Sequence, residues 1–166
     1  MTVRQEKDYD DIDTKNGLYY TDERFYPDSK YIHTCLYDDT GHIKGYSITF
    51  YSMTVGKVYA YDVYGKVADE EDMDAPYKFS LENLILKMKK KYGIDIEKGD
   101  NVHDFNRFTA DNGSFYVVSV TLNESMRDIY LIDGNNGKTL FKSREQIEWY
   151  PGMDEESIYE KYLKSK

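Results

Sequence analysis

Apolar and polar positions alternate along residues 31–64, and this alternation predicts three consecutive β-strands. Successive side chains of a strand point to opposite faces, so Tyr46, Ile48 and Phe50 share one face and the residues between them share the other. The three segments cover residues 31–37, 46–51 and 58–64, with glycine-containing turns at 38–41 and 53–57. Strands joined by such short turns are expected to form an antiparallel meander.

Helical periodicity replaces this alternation after residue 80. Ser80 is a residue type favoured at helix N-caps, and Gly93 is suited to end a helix. The apolar stripe between them comprises Leu81, Leu84, Ile85 and Met88. This stripe predicts one amphipathic helix that packs against a sheet.

The rest of the chain is predicted to contain further strands and a C-terminal helix. Strands are expected at 105–110, 114–122, 127–132 and 138–141, then a short helix or turn at 143–149 and a helix from about 154 to 163. The whole pattern predicts an α+β fold, an antiparallel sheet of about six or seven strands with one packed amphipathic helix and a C-terminal helix. Residues 1–30 are a polar, acidic N-terminal segment, and residues 31–166 are predicted to form a single α+β domain.

Tyrosine is unusually abundant, with 18 tyrosines against seven phenylalanines and one tryptophan. Tyrosine combines a large contact area with a polar tip and is enriched in protein interfaces. Aromatic residues also suit strands, so a packing role for the excess stays open. With 31 acidic and 22 basic residues, the formal charge of −9 argues against direct binding to nucleic acid or anionic membranes and favours a basic partner.

The predicted binding surface combines exposed tyrosines with an acidic loop. Residues 66–78 are predicted to form that loop and contain the densest acidic cluster of the chain. Such a cluster is commonly a solvated loop, but beside tyrosine-bearing strands it would steer a basic partner. The predicted partner-binding residues are Tyr46, Tyr59, Tyr61, Tyr64, Glu70, Glu71 and Asp72.

Candidate catalytic and metal-binding residues are few. Cys35 and His33 lie two positions apart on a predicted strand and share a face, and an inert cysteine beside a surface histidine is the preferred interpretation. His33, His42 and His103 lack the spacing of metal ligands, and no phosphate-binding glycine loop occurs. The sequence therefore predicts a non-enzymatic protein with no catalytic residue, no metal and no cofactor.

The cellular compartment is only weakly constrained by the sequence. A single cysteine, Cys35, cannot form an intrachain disulfide, and no apolar run reaches the length of a membrane span. The N-terminus lacks the apolar core of a signal peptide, and its polar start is compatible with a mature region whose upstream anchor has been removed. The compartment stays open, with an extracytoplasmic location favoured over a cytoplasmic one.

Residues 115–140, FYVVSVTLNESMRDIYLIDGNNGKTL, resemble the hairpin of PepSY-type domains. In that family a helix precedes two strands, and the second strand ends in an aspartate, a short turn and a glycine with lysine. Asp133, Gly137 and Lys138 carry the resemblance, with the helix from Ser80 upstream. The resemblance implies an extracytoplasmic module that binds or inhibits another protein.

In size, acidity and tyrosine content the chain also resembles the small acidic immunity proteins that Gram-positive bacteria make against secreted toxins. That resemblance implies an inhibitory protein that occludes a basic toxin or enzyme with a tyrosine-rich sheet face. Two alternatives stay open. One is a PepSY-like regulatory module, and the other is a phage-type inhibitor whose carboxylates mimic the phosphates of nucleic acid.

Overall fold

The computed structural model describes the backbone of residues 2–6 and the whole of residues 19–99, 101–147 and 157–166. The chain divides into two compact units, Met1–Ala75 and Pro76–Lys166. The predicted α+β class and antiparallel strands are confirmed, but the strands are divided between two sheets. Alternation identifies the two faces of a strand and does not identify its neighbours, so the division could not be predicted from it.

The first unit is one antiparallel sheet whose strands follow one another in chain order. The strands are β1 (Thr2–Glu6), β2 (Tyr19–Phe25), β3 (Tyr31–Asp38), β4 (Ile43–Phe50), β5 (Met53–Tyr61) and β6 (Val67–Asp72). Within the described residues of this unit there is no helix, and only Phe50 and Val55 are buried. Cross-strand contacts of half-buried side chains therefore hold much of this sheet together.

Strands β1 and β2 lie within the N-terminal segment of residues 1–30. Backbone pairing joins β1 to β2 and β2 to β3, so the meander extends beyond the three strands predicted from alternation. Residues 7–18 lie outside the described residues, and they include Asp8, Asp10, Asp11 and Asp13.

The connection between β4 and β5 differs from the prediction. The sequence predicts a turn at 53–57, but these residues belong to β5, and the chain reverses at Tyr51 and Ser52. Tyr51 has a φ of 55° there, and Gly56 has a φ of 65° where the register between β4 and β5 shifts. A glycine with positive φ suits a β-bulge as well as a turn, so its presence alone does not distinguish the two.

Residues 67–72 form a strand, although the sequence predicts a loop over 66–78. This strand, β6, pairs antiparallel with β5, lies at the edge of the sheet and is exposed along its whole length. Acidic residues have low strand propensity, and their exposure on both faces removes the alternation that identifies a strand. Charged side chains are common on edge strands because they oppose pairing with other chains.

The second unit places helices on both faces of a four-stranded antiparallel sheet, in the order β10-β9-β8-β7. Its elements are α1 (Leu81–Lys87), continued by a π-helical turn (Met88–Tyr92), β7 (Val102–Ala110), β8 (Gly113–Asn123), β9 (Met126–Asp133), β10 (Thr139–Gln146) and α2 (Ile158–Lys164). The Tyr92 ring lies 4.7 Å from Tyr130, whereas Leu131 packs in a cluster with Ile158 of α2. Because Tyr130 and Leu131 are consecutive, they point to opposite faces of the sheet.

Local hydrogen bonds explain where the helices begin. The Ser80 side chain accepts the N–H of Asn83 at 3.3 Å, as its predicted role as N-cap requires, and Gly93 ends the helical segment with a φ of 72°. Ser157 and Glu160 form a capping box at the start of α2. The predicted C-terminal helix is therefore present, although residues 148–156 lie outside the described part of the chain.

Residues 143–146 continue strand β10, where the sequence predicts a short helix or turn. They pair with β9, and Arg144 donates from Nε to Oδ1 of Asp128 at 2.7 Å. Glu145 accepts the ammonium of Lys161 at 2.7 Å. Charged residues on both faces conceal the strand pattern, and the ion pairs with β9 and α2 show why the strand extends.

Candidate functional site

One face of the first sheet gathers tyrosines from four strands. Tyr46 on β4 pairs with Tyr59 on β5, and Tyr59 pairs with Glu70 on β6. Directly paired residues of an antiparallel sheet share a face, as do residues two apart along a strand. We call this surface the tyrosine face, and its tyrosines are Tyr20, Tyr31, Tyr37, Tyr46, Tyr59 and Tyr61.

Three of the predicted binding residues form a row of rings on the tyrosine face. The ring centroids of Tyr46 and Tyr59 are 6.3 Å apart, and those of Tyr59 and Tyr61 are 6.4 Å apart. Both distances fall in the range of about 4.5–7 Å in which aromatic pairs attract. On β3, Nδ1 of His33 and the hydroxyl of Tyr46 share a hydrogen bond of 2.7 Å. These contacts fix the orientation of the rings.

The tyrosines of this face are all half-buried. Each side chain packs against its neighbours on the sheet and keeps part of its surface in solvent. Burial raises the pKa of Tyr46, and Coulomb repulsion between the phenolate and the ionisable Cys35 is the next cause. The phenol of Tyr46 is therefore protonated at neutral pH and carries a hydrogen-bond donor.

Tyr64 lies apart from the tyrosine face. The sequence predicts it on a strand with Tyr59 and Tyr61, but β5 ends at Tyr61 and Tyr64 lies in the turn before β6. Its side chain is 84% exposed, the highest value among the large apolar and aromatic residues of the described chain.

The acidic residues of β6 divide between the two faces of the sheet. Glu70 pairs with Tyr59 and Asp72 pairs with Lys57, so both acids border the tyrosine face. Glu71 pairs with Val58 and points to the opposite face. Of the three predicted acids, the structure brings two together with the rings and separates the third from them.

The sequence alone does not identify Lys57 as part of this surface. Its ammonium forms an ion pair with Glu70, and that hydrogen bond raises the pKa of Lys57. Because Lys57 lies two residues before Tyr59, it would be assigned to the same face if both were predicted on one strand. The sequence instead predicts a turn at residues 53–57. Tyr31 and His33 also belong to the tyrosine face, and only the pairing of β3 with β4 shows this.

Cys35 and His33 lie on the same face of β3, as predicted from their spacing. The His33 ring is hydrogen-bonded to Tyr46, and burial, followed by a hydrogen bond between Tyr37 and Cys35, raises the pKa of Tyr37. Among the described residues, no cluster of three or more His, Cys, Asp or Glu side chains could hold a metal ion. His33, His42 and His103 lie on β3, in the β3–β4 turn and on β7.

The residues of the PepSY resemblance lie in the turn between β9 and β10. The Asp133 carboxylate accepts the N–H of Asn135 at 2.8 Å, and the N–H of Gly137 donates to the Asp133 carbonyl at 2.8 Å. Gly137 has a φ of 72°, and a Cβ added there would lie 2.5 Å from the ring of Phe79. Turn geometry and close packing therefore account for Asp133 and Gly137.

No helix in the described part of the chain has the length and apolar character needed to span a bilayer. No known family model matches the sequence, and comparison with curated proteins and with solved structures also finds no significant match.

Proposed function

We propose that this chain is a non-enzymatic inhibitory protein of the immunity type, which binds a basic protein partner, a toxin or an enzyme, and occludes it with the tyrosine face. The observation that carries the proposal is the alignment of Tyr46, Tyr59 and Glu70 across three neighbouring strands. This alignment brings phenol rings and a carboxylate to one surface.

The half-buried rings are suited to anchor an interface. A tyrosine side chain offers a large contact area and a hydroxyl with few rotatable bonds, so ordering it costs little conformational entropy. Contacts among Tyr46, Tyr59 and Tyr61 lower that cost further, because the rings are ordered before binding. Arginine fits such a surface best, since guanidinium groups stack on aromatic rings and pair with carboxylates.

The acids beside the rings supply the electrostatic part of recognition. Glu70 and Asp72 border the tyrosine face, and the whole chain has a formal charge of −9. Charges of this kind accelerate encounters with cationic proteins and disfavour acidic ones, and salt screens the effect. The partner is therefore basic, and its association rate falls as ionic strength rises.

Affinity capture from an extract of the organism that encodes the chain tests this proposal. The captured protein should be basic, and its dissociation constant should weaken more with Glu70→Gln than with Glu71→Gln. The two variants lose the same charge from adjacent positions, but only Glu70 borders the tyrosine face. Equal weakening by both variants would contradict occlusion by that face and would indicate general charge steering.

Two other functions give different results in the same experiment. A nucleic-acid mimic would capture a DNA-binding protein and lose it to competing duplex DNA. Because a strand rises about 3.3 Å per residue, alternate carboxylates along β6 are about 7 Å apart. A regular row of carboxylates resembles a row of phosphates, so the nucleic-acid mimic is the second candidate. A PepSY-like regulator would bind its partner through the second unit, so variants of the tyrosine face would leave its affinity unchanged.

A further inference from the structure

The turn between β5 and β6 carries the most exposed apolar side chains of the described chain. Val63 is 65% exposed, Tyr64 is 84% exposed, and Val67, the first residue of β6, is 52% exposed. Single exposed apolar side chains are common on protein surfaces, but three of them within residues 63–67 are unusual and suit an interaction site. We call these three residues the hairpin tip.

Hydrogen bonds hold the hairpin tip in one conformation. The Asp62 carboxylate accepts the N–H groups of Tyr64 and Lys66 at 2.9 Å each. The backbone N–H of Asp62 donates to the Lys66 carbonyl at 2.8 Å, and Gly65 has a φ of 75° that suits the turn. A turn that is already ordered loses little entropy when it binds, so its exposed side chains are presented at low cost.

Negative charge lies directly behind the hairpin tip. Asp69, Glu70, Glu71 and Asp72 follow Val67 by two to five positions, and all four are exposed. Alternation along the strand puts two of these carboxylates on each face of β6. Glu70 and Asp72 border the tyrosine face, so a partner that binds this face meets both carboxylates beside the tip.

We propose that the hairpin tip inserts into an apolar pocket of the basic partner, and that lysine or arginine residues at the border of this pocket pair with Glu70 and Asp72, the carboxylates of β6 that border the tyrosine face. The inference rests on the proposed function and deepens it, because it names the element that penetrates the partner. Aromatic anchors in desolvated pockets, surrounded by a polar rim, dominate the affinity of many interfaces. The tip and its acidic strand have this composition.

Site-specific photo-crosslinking separates this inference from the proposed function. The probe is p-benzoylphenylalanine, a tyrosine analogue, placed in the full chain at Tyr64 in the hairpin tip, at Tyr61 on the tyrosine face or at Tyr19. Tyr19 is two positions from Thr21 and one from Tyr20, so it points away from the tyrosine face and serves as the control. Each chain is irradiated in an extract of the encoding organism, and the crosslinked residues are identified by mass spectrometry.

The inference predicts that positions 64 and 61 crosslink the same basic protein and that position 19 does not. The residues joined to position 64 should be apolar, with lysine or arginine beside them. Crosslinks from position 61 alone would overturn the inference and leave the proposed function in place. Crosslinks from all three positions, or from none, would overturn both.

Affinity measurements on the crosslinked protein then test the energetic role of the tip. Tyr64→Ser should weaken binding by at least about tenfold, as truncation of an interface anchor does. Leu122→Ser, which removes another exposed apolar side chain, should leave binding unchanged. Asp62→Ala keeps the side chains of the tip and removes their ordering, so it should also weaken binding. Unchanged affinity in Tyr64→Ser would contradict insertion.

Discussion

At the scale of single residues, the Asp38 carboxylate organises the turn between β3 and β4. Its Oδ1 accepts the hydroxyl of Thr40 at 2.6 Å and the N–H groups of Thr40 and His42 at 3.0 Å each. These hydrogen bonds lower the pKa of Asp38 to about 2, and the bond from the Thr40 hydroxyl has the largest effect. The turn therefore depends on the ionised form of one side chain.

We expect the stability of the first unit to depend on pH through Asp38. A carboxyl with a lowered folded-state pKa stabilises the fold fully above its unfolded pKa of about 4, and this contribution is lost as the pH falls through about 2. Asp38→Asn should lower the thermal midpoint at pH 6, and the difference from the parent chain should shrink toward pH 2. Thermal unfolding followed by circular dichroism measures this, with the adjacent Asp39→Asn as control. A difference that is constant with pH would contradict the assignment.

Asp128 is a buried carboxylate on β9 that is held by two cations of β10. Arg144 and Lys142 each donate a hydrogen bond to Asp128 at 2.7 Å. These bonds lower the pKa of Asp128 despite its burial, and the bond from Arg144 has the largest effect. Asp128→Asn should reduce the free energy of unfolding by about 1–3 kcal/mol, the scale of hydrogen bonds to charged groups. Urea denaturation measures the change, and the exposed Asp104→Asn should shift it by less than about 0.5 kcal/mol. Equal stabilities of the two variants would refute a structural role for the cluster.

At the scale of elements, Gly56 sets how β4 pairs with β5. Its φ of 65° coincides with the shift in register between the two strands. No atom lies within 4 Å of a Cβ added there, so an alanine at this position would suffer backbone strain and no collision. For residues with a side chain, the left-handed region costs about 1–2 kcal/mol.

Gly56→Ala should therefore lower the free energy of unfolding by about 1–2 kcal/mol. Gly45→Ala on β4 is the matched control, because a Cβ there would lie at ordinary contact distance, 3.5 Å from the Tyr59 carbonyl oxygen. At a compatible backbone conformation, alanine is expected to be neutral or to stabilise by up to about 1 kcal/mol. Urea denaturation compares the two variants. If Gly56→Ala proved as stable as Gly45→Ala, β5 would not contain the bulge.

The sequence predicts elements where burial alternates and misses them where charge covers both faces. Residues 31–37 alternate and form β3, and Ser80 and Gly93 delimit the helical segment correctly. Strand β6 has no such alternation, because all its side chains are exposed and only its backbone pairing with β5 makes it a strand. The extension of β10 through Arg144 is missed for a related reason, since its ion pair with Asp128 is a contact between strands.

At the scale of the whole molecule, the alternation of apolar and polar residues does not reveal which strands pair or in what register. The registers of β4, β5 and β6 place Tyr46, Tyr59 and Glu70 together, and the shift at Gly56 is invisible to a pattern of alternation. Alternation assigns Tyr46, Tyr59 and Tyr61 to strands correctly, but it cannot assign Glu70 and Glu71 to opposite faces, because the sequence predicts a loop there. The division of the strands between two units follows from the same contacts.

We propose above all that the tyrosine face binds a basic protein. The most direct measurement is the dissociation constant of the captured partner for Tyr59→Thr/Tyr61→Thr, compared with Val58→Thr/Ala60→Thr on the opposite face of the same strand. Threonine keeps strand propensity, and equal melting temperatures would show that both variants fold. We expect the tyrosine variant to bind at least about 30-fold more weakly, equivalent to the loss of one hot spot of about 2 kcal/mol, while the control binds normally. Unchanged affinity in the folded tyrosine variant would contradict binding of the partner by the tyrosine face.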